Sequence, residues 1–195
     1  MSLDVSGSNG VTEPSVVSTS DGLWLSFWID PDNVPASDNG IIEIRDVSAF
    51  RALTVYFQDS FFASGTQTMC RVIGEIPDAA PSFLNFATEF NNLSTGWHHI
   101  LWWIPMASGT TTADCGFWLD GTSIAVTQNF GATTWGPATW SNAEINIGYS
   151  QENAAGVDAQ IAEVGIWTST GAPTAQNAAD LSNSSGATRP GDLST

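Results

Sequence analysis

Two histidines stand side by side, His98 and His99, within alternating large apolar residues that predict a strand from Trp97 to Ile104. Successive side chains on a strand point to opposite faces, so this pair cannot share a metal ion or a proton. Glycoside hydrolysis would need two carboxylates about 5–10 Å apart across a cleft. The nearest candidates along the chain are Glu43 with Asp46, and Asp158 with Glu163. No serine or cysteine stands in the Gly-x-Ser-x-Gly context that lifts a nucleophile out of a sheet. No set of catalytic residues emerges, and the expectation is a protein without enzymatic activity. Tryptophan is the other chemically capable residue type, and nine occur. Indole faces stack on sugar rings and anchor protein interfaces. Trp24, Trp28, Trp97, Trp102, Trp103, Trp118 and Trp167 fall on predicted strands and are expected mostly in the core. Trp135 and Trp140 fall in a loop rich in Gly, Thr and Pro, and are the candidates for contact with a ligand or partner.

The elements that must position these residues are short and strand-like. Leu23 to Asp30 alternates cleanly: Leu23, Leu25, Phe27 and Ile29 share one face, and Trp24, Ser26, Trp28 and Asp30 the other. Both faces carry large side chains, so both are expected to be covered. Further strands are predicted at Leu3 to Ser6, Ile41 to Asp46, Ala52 to Gln58, Ser60 to Ala63, Thr66 to Ile76, Gly116 to Leu119, Thr122 to Thr127, Ala143 to Tyr149 and Val157 to Trp167. Phe83 to Phe90 fits either a strand or a helix, because Phe83, Phe86, Ala87 and Phe90 follow helical spacing. Asp120-Gly121 is a two-residue hairpin signal. Gln128 to Asn142 reads as a long loop. Thr174 to Leu181 is the one predicted helix, capped by Thr174. With almost no helix to cross over parallel strands, two packed antiparallel sheets are favoured.

Composition narrows the partners. The 195 residues suit one domain, with a sandwich at about 20–182, a polar N-terminal segment 1–20 and a C-terminal tail 183–195. There are 20 acidic residues against 4 basic ones, for a net charge of -16, and no lysine. The cations are Arg45, Arg51, Arg71 and Arg189, too few for the counterion release that drives nucleic-acid binding. An anionic membrane surface would repel the chain, and no apolar run approaches the ~20 residues of a membrane helix. The start, Met1-Ser2-Leu3-Asp4-Val5, does not read as a signal peptide, so synthesis in the cytoplasm is expected. A disulfide between Cys70 and Cys115 would stabilise by about 4 kcal/mol in the chain-entropy model. Two buried thiols are the alternative.

Four blocks follow one another in a fixed order: Gly96-Trp97-His98-His99-Ile100, Phe117-Trp118-Leu119-Asp120-Gly121, Ile145-Asn146-Ile147-Gly148, and Ile161-Ala162-Glu163-Val164-Gly165-Ile166-Trp167. With the opening strand Leu25 to Ile29, this order resembles the laminin-G-like, concanavalin-A-like lectin and glucanase family. The resemblance implies an all-β fold: a two-sheet antiparallel jelly-roll β-sandwich with one short C-terminal helix. Within it the motifs are architectural. Asp120-Gly121 makes a turn, Gly148 a close approach or bulge, and Trp97 fills the core. The glucanase branch of that family carries a Glu-x-Asp-x-x-Glu strand, and neither acidic pair here has that spacing. Calcium-binding relatives use loop carboxylates, for which Asp30, Asp32 and Asp38, or Glu152 and Asp158, would stand here. None matches a known calcium loop, so no cofactor or metal site is expected, with calcium the one ion the resemblance would allow. The function expected is a structural or surface-display module of a larger assembly: a virion protein, either a capsid decoration or a tail-associated one. It would be a homo-oligomer or dock on other protein subunits at the particle surface. The alternative is a carbohydrate-binding lectin domain that recognises glycans.

Overall fold

A computed structural model describes residues 2–5, 11–17, 22–31, 39–46, 51–59, 68–76, 82–89, 96–105, 111–131, 140–150, 155–156, 159–169 and 171–183. In chain order the strands are β1 (Ser2–Val5), β2 (Val11–Val17), β3 (Gly22–Pro31), β4 (Asn39–Asp46), β5 (Arg51–Asp59), β6 (Thr68–Ile76), β7 (Ser82–Glu89) and β8 (His98–Pro105). They continue as β9 (Gly116–Leu119), β10 (Thr122–Ile124), β11 (Val126–Gly131), β12 (Trp140–Ile147), β13 (Tyr149–Ser150), β14 (Ala155–Gly156) and β15 (Ala159–Ser169). One helix, α1 (Ala175–Asn183), follows. One sheet runs β1-β15-β3-β8-β9-β10, and the other β11-β7-β6-β5-β4-β12-β2 with β13 and β14 beside it. Apart from the single parallel bridge of β14 to β4, the described pairs are antiparallel. This is the two-sheet jelly-roll sandwich that the sequence predicts.

Alternation builds the interior. Leu23, Leu25, Phe27 and Ile29 of β3 meet Ile100, Trp102 and Ile104 of β8 and Phe117 of β9 on the inner face of the first sheet. Ile42 and Ile44 of β4 and Val55 of β5 close the core from the second sheet. Burying such a side chain stabilises by roughly 1.5–3 kcal/mol. Outside the first sheet a second apolar cluster joins Trp24, Leu101, Trp103 and Trp118 to Ala178 and Leu181 of α1. Both faces of β3 are therefore covered at this end. Thr174 caps α1: its Oγ1 accepts the Asn177 N–H at 3.1 Å, and Asn177 Oδ1 accepts the Thr174 N–H at 2.9 Å. Among the described residues no helix is long and apolar enough to cross a membrane.

Several elements differ from the sequence expectation. β2 pairs along β12 in a segment that reads as polar, and its Pro14 is tolerated because β2 lies at the sheet edge. The ambiguous stretch is the strand β7, fixed by pairing with β6 on one side and β11 on the other. The expected loop 128–142 is strand at both ends, since β11 runs to Gly131 and β12 starts at Trp140. The strand expected at Ser60 to Ala63 lies outside the described residues.

Candidate functional site

The outer face of the six-stranded sheet has two halves. The half under α1 is apolar, with Trp24 and Trp167 rings 5.4 Å apart and the Trp24 indole N–H donating to the Gly171 carbonyl at 2.8 Å. Further along β3 the same face carries Ser26, Trp28 and Asp30, because side chains recur every second residue. β8 sets His99 level with Trp28, and β15 sets Gln160 level with Asp30. Half-buried Trp28 lies against the His99 ring at 5.2 Å. Trp97, one residue before β8, is 41% exposed, and is the exposed large apolar side chain among the described residues. Asp30, one position past the Ile29–His98 pair of the register, accepts the N–H of the residue before Trp97, Gly96, on its Oδ1 at 3.0 Å. An exposed indole can stack on an apolar face, and carboxylate and amide groups can hydrogen-bond hydroxyls.

The start of β8 is tied to the β9–β10 turn by one aspartate. Asp120 Oδ1 accepts the His99 N–H at 2.8 Å, its Oδ2 pairs with His98 Nδ1 at 2.8 Å, and its own N–H donates to the His99 carbonyl at 2.9 Å. With φ of 50° at Asp120 and 76° at Gly121, both turn residues are left-handed, as a tight hairpin between β9 and β10 requires.

His98 and His99 do face opposite ways. His99 is buried at 1% exposure, and its Nε2 lies 2.9 Å from Ser26 Oγ. That is the separation of a nucleophile and its base. Among the described residues no acid orients the ring as in a triad, however. Asp120 engages the backbone and His98, and His99 Nδ1 has no hydrogen-bond partner among the described residues. Burial, partly opposed by the Asp120 charge, lowers the His99 pKa to about 4, so the ring is neutral at pH 7.

Neither of the nearest acid pairs along the chain lies wholly within the described side chains. Glu43 is wholly buried on the outer face of the other sheet, where Asn146 Nδ2 donates to its Oε2 at 2.9 Å. Asp46 ends the same strand, and its side chain lies outside the described residues. Glu163 is exposed at a bulge in β15 with φ of 53°, and Asp158 lies outside the described residues, as do Asp32, Asp38 and Glu152. Among the described residues no group of three His, Cys, Asp or Glu side chains could hold a metal ion. Trp135 lies outside the described residues; Trp140 opens β12, and its side chain lies outside them too. Cys115 is a free, half-buried thiol, pushed up to about 12 by burial and the nearby Asp114. Trp97 corrects the expectation of a core residue. The signal available was Gly96, whose positive φ of 118° breaks the strand just before it.

No family model matches the chain, and no curated protein matches it in sequence. Solved structures do match in fold. The native heptameric SAP-like pentraxin from Limulus polyphemus superposes with a TM-score of 0.60 at 11% identity, covering 93% of this chain and 81% of the pentraxin. Domains LG4-5 of the mouse laminin alpha1 chain give 0.53 at 12%, covering 82% of this chain and 39% of that one. Botulinum neurotoxin type C, which interacts with two ganglioside molecules, gives 0.55 at 13%, covering 91% of this chain and 41% of the toxin chain. The chain thus has the laminin-G-like, concanavalin-A-like jelly-roll fold. The expectation of a protein without enzymatic activity needs correction. A Trypanosoma rangeli sialidase matches with a TM-score of 0.54 at 13% identity, over 92% of this chain and 27% of the enzyme. The same architecture is part of an enzyme's chain, so neither the fold nor a missing motif supports that negative.

Proposed function

We propose that this chain is a lectin-type module that binds carbohydrate on the outer face of its six-stranded sheet. The observation that carries the reading is Trp97: a large aromatic ring left in solvent one residue after the Gly96 N–H that Asp30 accepts, with Gln160 level with Asp30 on β15. A pyranose stacks its apolar C–H face on the indole, and its hydroxyls bond to the carboxylate and amide. Among the neighbours in fold, the botulinum neurotoxin's interaction with gangliosides supports the same reading. Trp97→Ala should weaken binding of a saccharide found on a glycan array by about tenfold, close to 1.4 kcal/mol, with the thermal midpoint unchanged. Calorimetry measures the first and a thermal melt the second. An array with no binding at millimolar sugar, with and without calcium, would remove the reading.

A second reading, docking on other subunits at a virion surface, is supported by composition. A lysine-free chain of net charge -16 stays soluble as an outer shell, while apolar or backbone contacts would fix it to its neighbours. The heptameric pentraxin among the neighbours in fold is compatible with self-association. Light scattering should then give a mass above the 20.6 kDa monomer, and a strictly monomeric chain at high concentration counts against it.

A further inference from the structure

The charge around Trp97 selects the sugar. The strands of the six-stranded sheet (β1, β3, β8, β9, β10 and β15) contain no arginine or lysine. Arg45, Arg51 and Arg71 belong to β4, β5 and β6 of the opposite sheet. The rim residue His98 is already paired with Asp120. Among the described residues of this sheet and its turns the other charged groups are acids, among them Asp30, which accepts the Gly96 N–H, Asp120 at the β9–β10 turn and Glu163 at the exposed bulge; Arg189 lies outside the described residues. A carboxylated sugar set on this indole would meet acids of its own sign, and the strands of this sheet offer no arginine or lysine to bind it. An ammonium-bearing sugar would meet the negative face of the indole and the Asp30 carboxylate together.

Resting on the carbohydrate-binding reading, we propose that the Trp97 subsite takes an amino sugar whose amine is free and protonated, and rejects carboxylated sugars. Asp30 makes this a local property. It keeps Oδ1 on the Gly96 N–H, which anchors the segment that carries Trp97, and leaves its other oxygen for the ligand. A general attraction of cations to a chain of net charge -16 would not depend on one of 20 acids.

The test titrates the full chain with tetramers of glucosamine, N-acetylglucosamine and galacturonate at low salt, following tryptophan fluorescence and calorimetry. The glucosamine tetramer should bind about fivefold or more tighter than its N-acetylated counterpart, and the galacturonate tetramer should bind weakest. Trp97→Ala should weaken the glucosamine tetramer by about tenfold. Asp30→Asn preserves the acceptor for Gly96 and should bring the ratio between the first two tetramers to within twofold. If the N-acetylated or galacturonate tetramer binds as well as the glucosamine tetramer, or Asp30→Asn keeps the ratio, the charge selection is wrong. The saccharide site itself still stands in that case provided Trp97→Ala weakens what does bind. If Trp97→Ala changes no affinity, the saccharide site and the selection built on it both fail.

Discussion

Trp102→Ala should lower the unfolding free energy by about 4 kcal/mol, a large part of what holds a domain of this size together. Trp102 has no exposed surface, and its ring meets Phe117 edge-on with centroids 4.5 Å apart. It sits between Leu25 of β3 and Phe117 of β9 in the register, so truncation opens a cavity in the middle of the first sheet's inner face. Cavity and lost transfer free energy add, because a packed interior relaxes only in part. Trp102→Phe separates volume from polarity. The buried Trp102 Nε1 has no hydrogen-bond partner among the described residues, so phenylalanine removes an unsatisfied donor while losing part of the ring. Its cost should stay below about 1.5 kcal/mol. Urea denaturation of the three proteins decides it. Equal losses for alanine and phenylalanine would mean that Trp102 is not packed as a core residue.

How far the fold could be read in advance depended on how many neighbours each residue needs. β3 was legible on both faces. Leu23 through Ile29 predicted the inner core, and Trp24 on the other face predicted a cover that α1 supplies. β2 was not, because an edge strand pairs along one side and needs little apolar pattern, so Val11 to Val17 with its proline carried no alternation signal. Trp97 was misread for a local reason. Its type resembles that of Trp102 and Trp103, and its exposure is decided by the strand starting one residue later. The Glu43–Asn146 bond joins residues 103 apart in sequence, and the contacts of Asp120 reach 21 and 22 residues back to His99 and His98. No spacing rule along the chain reports such meetings, which arise only when the register of β4 on β12 and of β8 on β9 is set. The site was therefore legible as residue types, a tryptophan and acids, but not as the group of Trp97, Asp30 and Gln160.

Acid should weaken the fold through His99, and the sign follows from its burial. The folded pKa is near 4, against an ordinary 6.5, so the unfolded chain binds the proton more readily. Stability is complete above pH 6.5 and falls as the pH drops through the interval from 6.5 to 4. It levels off below 4, once both states hold the proton. The difference amounts to about 3 kcal/mol across that window. Asp114, held below the usual carboxylate range mainly by hydrogen bonds from Thr111, acts in the same direction but at lower pH, so it does not blur the interval. Loss of repulsion among the many other acids works the opposite way as the pH falls, so the contribution must be isolated by difference. His99→Gln retains a polar partner for Ser26 Oγ and has no titrating ring. Urea midpoints of the two proteins at pH 7, 5.5 and 4 should converge on acidification, the native protein losing about 3 kcal/mol relative to the variant. Parallel curves would place His99 in contact with water or with a buried acceptor. Trp28 would then not seal the ring, and the polar half of this face would be open as far inward as Ser26.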